Sequence, residues 1–597
     1  MSGSYPSPTF DALTLNSALP VASGGTGATT VAGIAGAISA TFYVATIAAL
    51  RALTSATTAT TASVSGYATA ADGGGGTFVV NANDTTSTDN GGTIIVDAAG
   101  RRWYRLWDGA NTSIRAWGAK VDGTTDDSAA IQAAINFLQS GTANQGGNGG
   151  VIRLPAGTVL INSGITVSTG GITLQGAGWE EYLGYQGQYT PGEPGTHGTI
   201  INTTSTSASP ITLASDAANN AAVRDMMFMQ TQPADASGWT PTIYPPTINI
   251  TGSGAQPGGA KLLENLFSWN SYEFIRIGSV GNPAARVDMR RIWGMPLQYG
   301  INAIFSSDVN RFDDIHFWQF DANVPNIIAW IQANGVGFRI TRSDNFIMSR
   351  CFCYGYEQFA QFTSSTDGAT QNFSISDCGA DSCWYGILVN ASSGTVTGKV
   401  SNFYHQSDTG TPNPGNGGGF LNAGSATSSI DFANVSSNLA MTSGVDAGGA
   451  DWAFANIRVT NYNQLAGGYN GITSNSGGTV TLSGRVLISG GGSGPTTGGT
   501  GTIINWSGTS TTNATASRAL GSSYTNSTGK PMTVNVSVNA SSTGVGNLVG
   551  LVAGNGVVLT SIPNSDYGNV TFVVPNGDSY EVTFSGTGTL NTWQETY

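Results

Sequence analysis

The sequence predicts an all-β protein built as a stack of short strands, with a single helix laid over one end. Three observations carry this. The chain is rich in glycine (84 of 597 residues) and poor in charge (10%), a composition that suits short strands joined by tight turns. Between Ala116 and Gly178, one stretch of helical periodicity is followed by a glycine-rich gap and then by apolar runs that Pro or Gly stop. From Val151 to about Ser510 similar apolar segments recur with no further helical pattern, mostly at intervals of about 24–33 residues, in the range of solenoid repeats.

The chain before residue 116 divides in two. Residues 1–40 contain ALPVASGGTGATT and are expected to form a glycine-rich linker or attachment segment. Gly24-Gly25-Thr26-Gly27 is not a phosphate loop, because no Lys-Ser/Thr follows it and no strand precedes it. The Ala/Gly-rich run over 28–50 reads as a loop and a short helix. Residues 41–115 then give apolar strands on either side of the turn-forming Asp89-Asn90-Gly91-Gly92, followed by the aromatic strand RRWYRLW. The series Leu50-Arg51-Ala52-Leu53, Gly66-Tyr67, Asp72-Gly73-Gly74-Gly75, Asp89-Asn90-Gly91-Gly92 and Arg102-Trp103 resembles the particle-binding domain in front of bacteriophage tailspike β-helices. Gly24–Gly27 resembles a short element common near the starts of phage tail proteins.

The helical stretch carries Ile131, Ile135 and Leu138 on one stripe. Asp126 or Asp127 can cap it, since a carboxylate there accepts the free N–H groups of the first turn. A helix at this place covers backbone groups that the open end of a strand stack leaves unpaired. The series Trp117-Gly118-Ala119-Lys120-x-Asp122-Gly123-x-x-Asp126-Asp127-x-x-Ala130-Ile131-Gln132-x-Ala134-Ile135, followed by Leu154-Pro155-Ala156-Gly157, resembles the entry segment of the pectate-lyase-like right-handed parallel β-helix. That resemblance implies a fold, not a reaction, because one fold hosts many chemistries.

Residues 116–512 are therefore expected to form a single-stranded parallel β-helix. Candidate rung starts include VRDMMF (223), LLENLF (262), VDMRRIW (287), FDDIHFW (312), IMSRCF (347), FSISDC (373) and VSNFYH (400). Residues 513–597 change character: PMTVNVSV, NLVGLVAG, VVLTSI, NVTFVV and SYEVTFSG alternate apolar and polar positions between Gly/Asn/Pro turns, which predicts an antiparallel β-sandwich. Arg518, Tyr524-x-Asn526, Gly529-Lys530-Pro531, Val574-Pro575-x-Gly577-x-x-Tyr580 and Trp593-x-Glu595 resemble C-terminal modules of phage tail proteins, which implies trimerisation or glycan contact.

Composition excludes several classes. Four lysines (Lys120, Lys261, Lys399, Lys530) and a net charge of −13 leave no basic stripe for nucleic acid. No apolar run approaches the ~20 residues of a membrane span, and residues 1–20 lack the basic start and apolar core of a secretory signal. The spacings of Cys351, Cys353, Cys378 and Cys383 match no common zinc knuckle, so free thiols packed in neighbouring rungs are expected. No metal or other cofactor is expected.

Adjacent rungs of such a helix lie ~4.8 Å apart, so carboxylates on one face meet the ~5.5 Å or ~6.5–9.5 Å separations of retaining and inverting glycosidases. Glu264, Arg290 and Asp314 align as a surface ion ladder, and His316 beside them reads as a satisfied surface residue. Tyr272-Glu273 and Tyr356-Glu357 place a Tyr-Glu pair at one corner of two rungs, and the next rung adds Asp377 and Asp381. Glu357 with Asp377 or Asp381 is the expected acid/base or acid/nucleophile pair, with Glu273 in reserve. Trp269, Trp293, Trp318, Tyr356 and Trp384 are candidate sugar platforms or wedges between rungs. Tyr404-His405 with Arg339, Arg342 or Arg350 could instead serve a β-eliminating lyase. Gly577-Asp578-Ser579 is better explained by a hairpin turn than by an esterase, since no His follows His405. The resemblance implies a homotrimeric tailspike in the virion tail, joined to tail or baseplate proteins and cleaving a host surface polysaccharide. A non-cleaving receptor-binding fibre is the alternative.

Overall fold

The structure, a computed structural model, describes residues 41–597 apart from 108–110, 141–147, 181–196, 215–217, 254–258, 321–323, 408–416, 476, 492–496, 506–510, 542–544 and 564. The expectation for residues 1–40 lies outside the described residues. The chain divides into two compact units. The first runs to Ala453 and includes Arg458–Val480 and Ile488–Thr502; the second comprises Phe454–Ile457, Thr481–Leu487 and Ile503–Tyr597.

The first unit opens with a five-stranded sheet. Strand Thr41–Thr46 pairs in parallel with Thr61–Gly66, and the rest of the sheet is antiparallel. Helix α1 (Ile47–Arg51) buries Ile47 and Leu50 against Val64, Phe78, Ile95 and Trp103. The motif residues here are structural. The Asp89 carboxylate accepts from Arg51 at 2.8 and 2.7 Å and from the Gly91 and Val96 N–H groups. Asp72 accepts four backbone N–H groups of its own loop.

Helix α2 (Ser128–Gln139) buries Ile131, Ala134, Ile135, Phe137 and Leu138, as its stripe predicts. It lies across the first rung. The Gln132 side chain accepts the Thr166 N–H at 2.8 Å and that of Gln139 accepts the Ser168 N–H, which satisfies strand Ile165–Val167 at the stack's open end. Asp127 occupies the N-cap position, but its carboxylate accepts the Lys120 and Val121 N–H groups rather than those of the helix. Asp126 takes the capping role through the Ser128 N–H and also holds Asn162.

Beyond the helix the strands pair in parallel with the rung before and the rung after. One face runs Ile165–Val167, Ile211–Leu213, Ile248–Ile250, Glu273–Ile277, Tyr299–Ser307, Val336–Ser343, Gln358–Phe362, Tyr385–Val389 and Phe420–Asn422. This is the parallel β-helix that the sequence predicts. One departure is helix α3 (Pro325–Asn334), inserted between strands Arg311–Trp318 and Val336–Ser343. Proline at its start and the Asp235 carboxylate, which accepts the Asn326 and Ile327 N–H groups, fix its first turn. All four cysteines are buried and free.

The second unit holds two four-stranded antiparallel sheets, Thr511–Asn513/Gly588–Thr596/Met532–Ala540/Tyr567–Val574 and Ser523–Thr525/Ser579–Phe584/Gly546–Val552/Asn555–Ile562. Alternate residues of Met532–Ala540 point into a core with Trp593, Phe572 and Tyr580. The nearly buried Glu595 carboxylate accepts from Arg518 at 2.7 Å, Tyr580 at 2.6 Å and Trp593 at 3.0 Å, which gathers the motif residues into one cluster. Gly577, with φ 86, sits in the turn between two strands. Gly577-Asp578 lies in that turn and Ser579 opens the next strand; the turn joins strands of the two different sheets and is not the hairpin expected.

Candidate functional site

One column of corner residues sets the site. At the same place in eight successive rungs the chain turns through a left-handed residue: Asp225, Asn265, Arg291, Asp314, Arg350, Asp377, Asn402 and Asn434. Asp and Asn tolerate this conformation best after Gly. The residue just before the corner faces solvent, and Arg224, Glu264, Arg290 and Asp313 stack there in register. Glu264 pairs with Arg290 at 3.0 Å and with Arg224 at 3.6 Å. This is the ion ladder, with one correction: Asp313 occupies the place expected of Asp314, because Asp314 is itself the corner.

After the corner, in-and-out alternation resumes. The first outward position gives a column of Phe267, Trp293, His316, Phe352, Gly379 and Tyr404. The second gives Trp318, Tyr354, Asp381, Gln406 and Asn438. Seven of these are aromatic or imidazole rings, and six of them touch another ring of the face. His316 lies 4.5 Å from Trp318, 5.0 Å from Phe352 and 5.7 Å from Trp293 between ring centroids. Trp179 packs over Phe267 at 4.9 Å. The column emerges from cover as it climbs, from a buried Phe267 to Tyr354 at 39% and Tyr404 at 44% exposure. Burial among rings pushes His316 down to about 4, so it is not the satisfied surface residue expected.

Asp381 stands in this outward face between Tyr354 and Gln406. Its carboxylate accepts from the Gln406 amide at 3.3 Å, and Gln406 in turn accepts from Asn438 at 3.4 Å. Around the next corner Glu357 precedes Gln358, whose cross-strand partner in the following rung is Tyr385. Burial raises the Glu357 carboxyl above the ordinary range. The Tyr385 hydroxyl is raised by its own burial and then by the Glu357 charge. Half-buried Trp384 lies beside Glu357, one rung on.

Other expected site residues fall elsewhere. Asp377 is an exposed corner residue held by the Asn402 amide at 2.9 Å. Three residues, a path of four steps or at most roughly 13 Å of chain, separate it from Asp381, and Glu357 lies in the rung below. Glu273 is buried. Arg276 and the Asn302 amide (2.8 Å) occupy its carboxylate, and it pairs across strands with Tyr299, not with a counterpart of Glu357. Register puts Glu357 one position out of step with it. Tyr356 is fully buried with its hydroxyl donating to the Pro296 carbonyl at 2.7 Å, so it is core and not a platform. Trp269 is buried against Phe320. Trp293 and Trp318 are half-buried in the outward column. His405 faces inward, with one ring nitrogen 3.1 Å from the Ser437 hydroxyl and the other 3.0 Å from the Cys383 carbonyl. A base sealed in this way cannot reach a sugar.

Phe352, Tyr354, Tyr404 and Tyr385 were not singled out as a surface in the sequence. The sequence signal is a corner residue, one apolar residue, then an outward ring, as in Asn265-Leu266-Phe267, Arg291-Ile292-Trp293, Asp314-Ile315-His316, Arg350-Cys351-Phe352 and Asn402-Phe403-Tyr404.

Residues 43–108 match the family model described as the phage tail protein small four-stranded beta-sheet domain, and residues 111–220 match the model described as rhamnogalacturonase A/epimerase, pectate lyase-like. Among solved structures, the chain is similar to the tailspike protein gp49 from Acinetobacter baumannii bacteriophage Fri1, a capsular polysaccharide depolymerase, at 13% identity over 93% of this chain and 97% of that one (TM-score 0.45). It is also similar to the enzymatically active domain of bacteriophage CBA120 tailspike protein 4, at 12% identity over 93% and 76% (TM-score 0.41). A third is Pantoea stewartii WceF, a glycan biofilm modifying enzyme, at 12% identity over 93% and 70% (TM-score 0.32).

Proposed function

We propose that this chain, with its phage-tail domain ahead of a pectate-lyase-like β-helix, is a tailspike that binds a host surface polysaccharide and hydrolyses it. The N-terminal region joins it to tail or baseplate proteins of the virion, and three identical chains associate about a common axis, a closed cyclic symmetry. The observation that carries the catalytic reading is the outward column of rings beside two carboxyl groups in unlike surroundings. Sugar faces stack on aromatic rings. Glu357, whose carboxyl burial raises above the ordinary range, serves as general acid to the leaving oxygen. Asp381, oriented by Gln406, serves as base or nucleophile at the anomeric carbon. Water supplies the hydroxyl that ends on that carbon. Asp377 has no part in this pair.

The test is incubation with purified capsule or lipopolysaccharide from candidate hosts. New reducing ends are expected, and Glu357→Gln and Asp381→Asn should bind without cleaving. Full activity in both variants would remove the site. An unsaturated, ultraviolet-absorbing product end would replace hydrolysis with β-elimination. No release from a demonstrated receptor would make the chain a non-cleaving fibre.

A further inference from the structure

Two of the eight corner residues break the Asp/Asn rule. Arg291 and Arg350 hold φ 55 and 53, a conformation that a long side chain adopts at a cost. Arg350 is accounted for, since its guanidinium pairs with the Asp313 carboxylate. Arg291 has no such partner: among the described residues it forms no ion pair, not even with Asp314, the next residue of its column. Its exposed guanidinium instead lies over two rings, 5.3 Å from the centroid of Trp293 and 5.9 Å from that of Trp179. Those rings are themselves 5.9 Å apart and form a notch at the lower end of the outward column. In the same place the Trp293 indole N–H is buried without a hydrogen-bond partner.

We infer that Arg291 is a specificity-determining residue, recognising a carboxylate carried on a sugar of the bound polysaccharide. This rests on the outward column being the glycan-binding face, and it narrows the ligand to an acidic glycan. A guanidinium presents paired donors that match a carboxylate in geometry, and stacking on indole holds its plane while leaving those donors free. The rings then take the apolar face of the same or the neighbouring sugar. The Asn or Asp found at the other corners would fold at least as easily but would carry no positive charge. The strained arginine is thereby explained by binding, not by the fold.

The experiment uses the full chain and a panel of purified capsular polysaccharides of defined composition, some bearing uronic acids and some neutral. Wild type should bind a uronate-bearing member. Chemical reduction of its carboxyl groups should weaken binding at least tenfold, Arg291→Asn should do the same, and the two together should do no more than either alone. Arg291→Asn should keep or raise the Tm. Equal binding of carboxylated and reduced ligand by wild type, or undiminished binding by Arg291→Asn, would overturn the inference while leaving the glycan-binding face intact. A drop in Tm with equal loss of both ligands would show a structural role and overturn it as well. A wild-type chain that binds no member of the panel would overturn both this inference and the reading beneath it.

Discussion

Gly379 lies directly under the ring of Tyr404: a Cβ on the glycine would stand 2.3 Å from Tyr404 Cε1. The two are register partners in adjacent rungs, so the missing side chain is what lets the most exposed ring of the column lie down along the surface. Gly379→Ala should lift that ring and weaken glycan binding by about 3- to 10-fold, the worth of one aromatic contact. Tyr404→Ala should lose a similar amount, and the double variant no more. Titration calorimetry of the three against a bound oligosaccharide checks this.

Glu357→Gln should lower kcat by about 10²–10⁴-fold with little change in binding. Because burial raises its carboxyl, the alkaline limb of the activity profile should lie above the ordinary glutamate range. The same shift bears on stability. A raised carboxyl favours the fold below its unfolded pKa and loses that favour as pH rises through the folded value. Glu357→Gln should therefore raise the Tm at neutral pH.

Glu273→Ala should act on the fold, not on chemistry. It strands Arg276 and the Asn302 amide beside a nearly closed site. A loss of about 2–4 kcal/mol is expected from denaturant titration, since removing one partner leaves the other's charge poorly solvated. The kcat of the protein that remains folded should be unchanged.

Acid should destabilise the first unit in a particular window. Burial holds the His405 pKa at about 4 against an ordinary 6.5. The unfolded chain binds the proton first, so stability falls as pH drops from 6.5 towards 4, by up to about 3 kcal/mol from this group. His405→Gln should flatten the Tm profile across that window.

Arg290→Ala, by contrast, should cost less than about 1 kcal/mol, because the ladder it belongs to is open to solvent. Added salt should shrink even that difference.

Much of this fold is written plainly in the sequence. The entry segment is legible because it combines an amphipathic helix with the turn residues that hold it, and the rung starts are legible because inward apolar residues repeat. What the sequence obscures is phase. Each left-handed corner inserts a residue that belongs to neither flanking strand, so counting back from an aromatic put Asp314 where Asp313 stands. The same slip matched Glu273 with Glu357 and placed Tyr356 outside when it points in. Helix α3 was missed for another reason: PNIIAWIQAN is apolar on several sides, with only Ile331 fully buried, and such a run does not announce its period. Of the candidate carboxylates, Asp381 stands in the outward face and Glu357 beside Trp384, whereas Asp377 and Glu273 each have a structural duty that position along the chain does not reveal.

The recurring corner has a further consequence for how such a protein can change. Successive corners are unequally spaced along the chain, close between Arg291 and Asp314 and far apart between Asp225 and Asn265, yet the strands flanking them stay in step. Surplus residues are therefore shunted into excursions away from the corner, such as α3. New surface can be grown or trimmed there while the scaffold beneath keeps its shape.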